Sequence, residues 1–500
     1  MSTDAPPRFR DSAAIVLLRG PSTALEVFWV KRNDAVGYMP GFQAFLGGKV
    51  ATEDREIEMS GAASEEDRVF RVCAVREAFE EAGVLLALDA RVAAQPPAAL
   101  AEARHRLLAR DATFAALARE HGWRFRADAL TFAGRWTTPP FASMRFDTSF
   151  FLARVPEGQQ PSIVVGELAS GEWIAPRQAL ERWRRGEATF AAPILYTMRA
   201  LAEGDGATLA ARLASAPAES GQPVRRIELK WGIVLHPMKT RPLPPATHTN
   251  AYLVGEREMA LIDPGSGEPA ELDALFALID ALRGDGRELK LVLLTHHHAD
   301  HTGGVEAVRE RYRVPVAAHA DNARLIRLDR TLEDGEELAL APGVGEWRLR
   351  ALHTPGHTRG HMCFLHERTR SLLTGDHIPG GAGTVIVDPP EGDMRAYVAS
   401  LERLLTEPVD ALFPGHGSPQ GGAMRRIRWL IAHRREREAK VLDALATTPV
   451  PLAALVERAY ADTPRELWGY ASRSLLSHLL KLEAEGRAVR EGEFWRRAGG

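Results

Sequence analysis

Five apolar runs in the middle of this chain close on a histidine or an aspartate, and only a limited set of folds brings such ends together. They are LIDPG with Asp263, LVLLTHHHADHTGG from Leu291 to Gly304, HTPGHTRGH with His357 and His361, SLLTGD with Asp376, and ALFPGHG with His416. Short apolar runs bounded by Gly, Pro or Asp read as buried strands. Alternate residues of an extended chain point the same way, so His296 and His298 converge while His297 points elsewhere. The chain then turns into a helix, where Asp300 and His301 present a second set of donors. Imidazole and carboxylate groups suit a borderline cation such as zinc.

At roughly 150 residues per domain, a chain of this length suggests about three. The first segment, 1–203, reads as α plus β: strands AAIVLL and LEVFWVKR, the loop GYMPGFQAFLGGKV, the helix VFRVCAVREAFEEAGVLLA, an alanine-rich helical piece at 98–120, strands at 147–155 and a helix at 176–185. A Gly-, Ala-, Ser- and Pro-rich stretch, 204–224, reads as a linker. The strand ends above occupy 225–424, and 425–500 opens with the long helix MRRIRWLIAHRREREAKVLDALA. Thr463, Pro464 and Glu466 read as a cap, first-turn proline and capping-box acid for a helix with Leu475, Leu476, Leu479 and Leu480 on one face. AVREGEFWRR then reads as a short two-stranded wing.

The composition is 45% hydrophobic and 26% charged with a net charge of −3, which excludes a global pull toward nucleic acid or membrane. Any nucleic-acid role must come from a local patch. Cys73 and Cys363 lie too far apart in sequence to suggest a disulfide framework or a cysteine zinc site, so a reducing cytoplasm is expected. MSTDAPPRFRDSAA lacks the order of a secretory signal, and no apolar run reaches the ~18 residues of a membrane span. Nothing in the sequence sets an oligomeric state.

The order HxHxDH, then the strand ends carrying His357, Asp376 and His416, resembles the metallo-β-lactamase superfamily over residues 226–422. That resemblance implies two zinc-type cations. His296, His298 and His357 would hold one, Asp300, His301 and His416 the other, and Asp376 would bridge them, with catalysis resting on Asp300 and Asp376. Asp263 would orient a ligand, while His361 would sit near the substrate or merely pack. His353 and His377 match no ligand position. The superfamily cleaves lactams, thioesters and phosphodiesters, so its fold leaves the substrate open.

IAHRREREAKVLDAL, ALVERAYADTP and LLSHLLKLEAEGRAV, with GDHIPGGAGTVIVD and LFPGHGSP, resemble the β-lactamase-like protein 2 group over 250–495. In that group a winged-helix-like domain follows the metal domain, and a characterised member cleaves single-stranded RNA. Arg425, Arg426, Arg428, Arg434, Arg435 and Arg437 then read two ways, as a phosphate-contacting patch or as a solvated helix face interleaved with Glu436 and Glu438. The winged helix likewise reads nucleic acid or only walls the cleft.

In REAFEEAGV the offsets put Glu77, Glu80 and Glu81 on one helical face, where like charges repel unless a hard cation such as magnesium or manganese joins them. This segment resembles the Nudix hydrolases over 10–200, and in particular their coenzyme A diphosphatase branch. The resemblance implies that Arg76 orients loop and helix, that Glu77, Glu80 and Glu81 bind the metal or activate water, and that Gly83 permits the turn. Gly48 and Arg76 stand 28 positions apart against 14 in the uninterrupted motif. Where the motif has Glu, eight positions before Arg76, stands Arg68, with Glu66 or Asp67 as substitutes after a shift.

The expected architecture is therefore multidomain α/β and α+β: a Nudix fold, then an αββα metallo-β-lactamase sandwich, then a small winged-helix-like domain. The expected activity is a metallo-hydrolase with a diphosphatase ahead of it, acting on a small molecule such as coenzyme A or another nucleoside diphosphate derivative. The alternatives are a single-stranded RNA endonuclease whose Nudix domain is inactive, and a thioesterase of the glyoxalase II type.

Overall fold

The computed structural model describes residues 9–86, 97–139, 142, 144–204, 208–215, 226–343, 345–381 and 383–499. The chain divides into two compact units, Met1–Trp231 and Gly232–Gly500. Among the described residues no helix is long and apolar enough to cross a membrane.

In the first unit the strand Arg10–Arg19 runs parallel to Phe146–Arg154 and antiparallel to both Glu26–Arg32 and Leu46–Lys49. Its alternation is two-sided: Ile15 and Leu17 join one core cluster, Val16 and Leu18 the other. A strand that feeds two cores has helices on both faces. Glu65–Ala82 packs on one side, where Val72, Val75 and Phe79 are buried, and Pro176–Arg184 and Ala192–Ala202 pack on the other through Ala179, Trp183 and Met198. The alanine-rich piece is two helices, Pro97–Leu108 and Phe114–His121, because Thr113 caps a fresh start by accepting from Ala116 N. Most of the expected linker lies outside the described residues, but Leu209–Ala214 forms a short helix whose Leu209 and Leu213, one turn apart, are buried. Composition hides that apolar pair among alanines.

The second unit stacks two sheets. One runs Ile233–Lys239, His248–Gly255, Glu258–Ile262, Glu288–Leu293, Val316–His319, Arg330–Leu332, and changes from antiparallel to parallel at Glu258–Ile262. The other runs Glu337–Gly343, Gly345–His353, Met362–His366, Ser371–Gly375, Ala411–Pro414. Leu253 and Leu261 face the helix Pro269–Gly284 across one core. Tyr252, on the opposite face of its strand, sets its ring edge-on against Phe413 of the other sheet and donates its hydroxyl to Pro414 O at 2.8 Å. Met394–Leu404 and Ala423–Ala444 cover the outer face of the second sheet.

The helix Trp468–Ala484 buries Leu475, Leu479 and Leu482 beside the antiparallel wing of Ala488–Glu491 and Phe494–Arg497. Thr463 and Glu466 do not form the expected capping pair. A 3-10 turn, Arg465–Leu467, precedes this helix, and Trp468 Nε1 ties back to Thr463 O at 3.0 Å. The six arginines of the basic helix differ in what they meet. Arg434 is buried and donates to Val385 O, Arg426 donates to Gly383 O, Arg435 pairs with Glu402 and Arg437 with Asp462. Arg425 and Arg428 are exposed.

Candidate metal centre

The second unit gathers its donors where the parallel strands end. Glu288–Leu293 delivers Thr295, His296 and His298, and the single turn Ala299–Thr302 delivers Asp300 and His301. Asp263 follows Glu258–Ile262 with φ of 50°, a left-handed conformation that L residues adopt at a cost and that marks a site held for another purpose. It accepts from Thr295 N at 2.8 Å, Thr295 Oγ1 at 2.6 Å and His301 Nδ1 at 2.8 Å. Gly375 and Gly415 let two strands close over the donors. A Cβ on Gly415 would meet His301 Cε1 at 2.7 Å and Asp376 Oδ1 at 2.9 Å, and one on Gly375 would meet Thr295 Oγ1 at 2.5 Å.

Two sets converge. His298 Nδ1 lies 2.9 Å from His296 Nε2 and 3.2 Å from His357 Nε2. His416 Nε2 lies 3.3 Å from His301 Nε2 and 3.3 Å from Asp300 Oδ2. Asp376 stands between them: Oδ1 is 3.3 Å from His301 and 3.4 Å from His416, while Oδ2 is 3.7 Å from His357. Each outward ring nitrogen has an acceptor of its own. Those of His296, His301, His357 and His416 face Thr295 Oγ1, Asp263, Ile386 O and His248 O, and that of His298 faces Glu391. With protons held on the outward side, the inward nitrogens of five imidazoles and two carboxylates point at one another. Such a set needs positive charge between its members, and its nitrogen and oxygen donors fit divalent transition cations.

Electrostatics in the metal-free chain agree. Burial lowers His357 to about 4 and drives His296 well below the usual imidazole range. Burial also opposes charge on His416, but Asp376 and Asp300 outweigh it and raise that residue to about 9. Asp376 is held well below the carboxylate range by His416 and His301, against the burial that would raise it. Below about 9, then, a cation entering beside His416 must expel a proton. Burial opposes charge on His301 too, but Asp376 and Asp263 raise it well above the usual range. Zinc affinity at this set should therefore rise by about tenfold per pH unit for each proton displaced, until both imidazoles are neutral. Calorimetry in buffers of differing ionisation enthalpy measures the protons released, and a pH-independent affinity with no release would contradict the expectation.

His361 is packed behind this centre, buried, with Nδ1 on Thr354 Oγ1 at 2.9 Å. His297 turns away from both sets, toward Glu391 and Asn322. His353 stacks on His319 and His377 packs on Tyr397. Thr295 and Glu391 went unnoticed in sequence, one looking like ordinary strand and the other lying in a loop without periodicity.

In the first unit Glu65–Ala82 begins at a Ser64 cap and ends at Gly83 with φ of 70°. Arg76 is buried and grips Asp54 with two bonds, Nε to Oδ1 at 2.7 Å and Nη2 to Oδ2 at 3.1 Å. Its Nη1 donates to Glu77 at 2.8 Å and to Glu80 at 3.2 Å. Glu81 accepts from Gly47 N at 2.8 Å. Glu66 and Asp67, the substitutes suggested by sequence, pair instead with Arg135 and Arg71. The missed signal is at the glycine end of the motif: Gly48, five residues, then Asp54, with the interruption falling after it. One guanidinium thus serves three carboxylates. Glu77 is raised to about 7, chiefly by burial and further by Glu80 although Arg76 opposes it, and burial pushes Glu81 up as well. The cluster lacks positive charge, and its hard oxygen donors fit magnesium or manganese. Glu77, Glu80 and Glu81 do not converge as closely as the histidine sets do.

Family comparisons cover all three parts. The metallo-beta-lactamase superfamily matches residues 244–416, the NUDT19 Nudix domain 55–201, and the beta-lactamase associated winged helix domain 452–496. The chain is 35% identical to lactamase-like protein GME11357 of Pestalotiopsis microspora, over 39% of this chain and 58% of that protein. It is 31% identical to the beta-lactamase-like protein 2 homolog of Drosophila melanogaster, over 48% of this chain and 83% of that protein. It is 33% identical to the atrochrysone carboxyl ACP thioesterase of a Cryptosporiopsis species, again over 39% and 58%. The chain therefore spans little more than half of two of these relatives.

Proposed function

Since the chain belongs to the metallo-β-lactamase superfamily and carries a Nudix domain ahead of that fold, we propose that this hydrolase works at two sites, a dinuclear zinc-type centre that cleaves an acyl thioester and a magnesium-dependent site that cleaves a diphosphate. The observation that carries the first site is the placement of Asp376, one oxygen toward each donor set. His296, His298 and His357 would hold one cation, Asp300, His301 and His416 the other. Bound there, two cations would supply Lewis acidity, lowering the pKa of a water shared between them and polarising the bond to be cut. Asp300, partly exposed, would take a proton from the attacking water and return it to the leaving group. Asp263 keeps the His301 proton on Nδ1, so its Nε2 stays available.

A thioester is favoured over RNA by two observations. A relative of similar identity is a carrier-protein thioesterase by name, and most arginines of the long helix are already tied to carbonyls and carboxylates. Coenzyme A thioesters would give both sites one substrate, since the carrier contains a diphosphate. In the Nudix domain Glu77, Glu80 and Glu81 would hold magnesium or manganese, with Arg76 fixing the helix against the loop.

The full chain, purified after growth with zinc, is to be assayed in parallel on an acyl-coenzyme A, on coenzyme A with magnesium, and on single-stranded RNA. Expected are thiol release that strong chelation abolishes, and magnesium-dependent diphosphate cleavage that Glu80→Gln abolishes while thiol release persists. Cleavage of RNA alone, lost in His298→Ala, would replace the thioester reading with the endonuclease one. Absence of bound transition metal would overturn the centre itself.

A further inference from the structure

Three of the five inward-facing histidines have outward nitrogens held by partners in or next to strands; His357 relies on Ile386 O of an irregular loop, and the same loop serves His298. Its Nε2 faces Glu391 Oε2 at 3.4 Å, a residue 93 positions further on in an irregular loop. The other oxygen of Glu391 pairs with His297 Nε2. That imidazole is itself fixed from behind. Asn322, fully buried, donates Nδ2 to Gly360 O at 2.9 Å and His319 O at 3.2 Å, so its Oδ1 must face His297 Nδ1, 3.2 Å away. The carboxylate of Glu391 is thus clamped between two imidazoles, His297 holding it in place and His298 receiving its orientation.

The loop that delivers Glu391 has little regular structure and is set largely by arginines. Arg426 and Arg434 of the long helix donate to Gly383 O and Val385 O, and Arg359 donates to Pro390 O at 3.1 Å. Arg473, on the winged-helix segment's main helix, pairs with Asp388 through Nε at 2.7 Å. Asp388 O in turn accepts from Gly392 N at 2.6 Å, closing a tight turn around Glu391.

We propose that Glu391 is a positioning residue, the carboxylate that holds the His298 proton on Nε2 and so presents Nδ1 to a cation, and that the C-terminal segment sets it through Arg473. The role rests on the reading of His296, His298 and His357 as one cation set. A carboxylate behind a ligating imidazole fixes both its tautomer and its ring plane. Among the described residues Glu391 is the one acceptor at His298 Nε2, so without it the protein fixes neither the tautomer nor the ring plane at that position.

The test uses the full chain, with zinc affinity measured by competition against a chromophoric chelator and the ligand field read from cobalt(II) absorption. Glu391→Ala is expected to keep two cations at saturation while one dissociation constant rises by about 10- to 100-fold, with a changed cobalt spectrum at that site. Glu391→Gln, which keeps an acceptor oxygen, should recover most of the loss. Arg473→Ala, which removes only an ion pair at the surface, should weaken the same site by several-fold and keeps the test open should Glu391→Ala fold poorly. Affinities within twofold of the wild type in both alanine variants overturn the proposal. A wild-type chain that binds no zinc overturns instead the cation-set reading on which it rests.

Discussion

Replacing Asp376 with asparagine is expected to lower turnover at the histidine centre by about 10²- to 10³-fold or more, the range seen when a preorganised polar group is lost from a buried site, and to release at least one bound cation. The size follows from position. Both carboxylate oxygens are used, Oδ1 within 3.4 Å of His301 and His416 and Oδ2 at 3.7 Å from His357. Asparagine keeps the shape but removes the charge, and turns one of two acceptors into a donor aimed at a set of lone pairs. His301 and His416 then lose the partner that offsets their burial. Elemental analysis and steady-state kinetics on the same preparation check the expectation. Two cations and unchanged turnover would remove Asp376 from the centre.

What sequence can reveal about this centre depends on how far each interaction reaches along the chain. Strand ends announce themselves, because apolar runs closed by Gly or Pro are local and alternation tells His296 and His298 from His297. Glu391 does not announce itself: its contact with His298 crosses 93 positions and ends in a loop that arginine-to-carbonyl bonds organise. Those bonds also misdirect a reading by charge. Six arginines near one helix resemble a phosphate patch until Val385 O and Gly383 O are seen to occupy two of them. The Nudix acid was lost to the direction of counting. Measured back from Arg76 the motif meets Arg68, whereas measured forward from Gly48 it meets Asp54, because the inserted residues fall between Asp54 and Arg76. Leu209 and Leu213 show the same limit on a smaller scale, two apolar residues that pack although their neighbourhood has the composition of a linker.

Arg76→Ala is expected to destabilise the first unit by about 3–5 kcal/mol, the usual cost of leaving a buried charge without its partner. Asp54 is 0% exposed and Arg76 5% exposed, so solvent cannot replace the lost guanidinium. For a domain of this size the melting temperature should fall by about 6–20 °C, at roughly 2–4 °C per kcal/mol. Arg76→Lys should recover only part, since an ammonium cannot make the two parallel bonds to Asp54 and also reach Glu77, Glu80 and Lys49 O. A melting point within about 2 °C of the wild type for Arg76→Ala would contradict the argument. The double variant Arg76→Met with Asp54→Leu separates stability from chemistry. Replacing both members of a buried pair with apolar groups is often neutral, so part of the lost stability should return, the rest staying lost with buried Glu77, which Arg76 also served. Magnesium-dependent cleavage should not return, because Glu77 and Glu80 would still lack the cation that holds them against the loop.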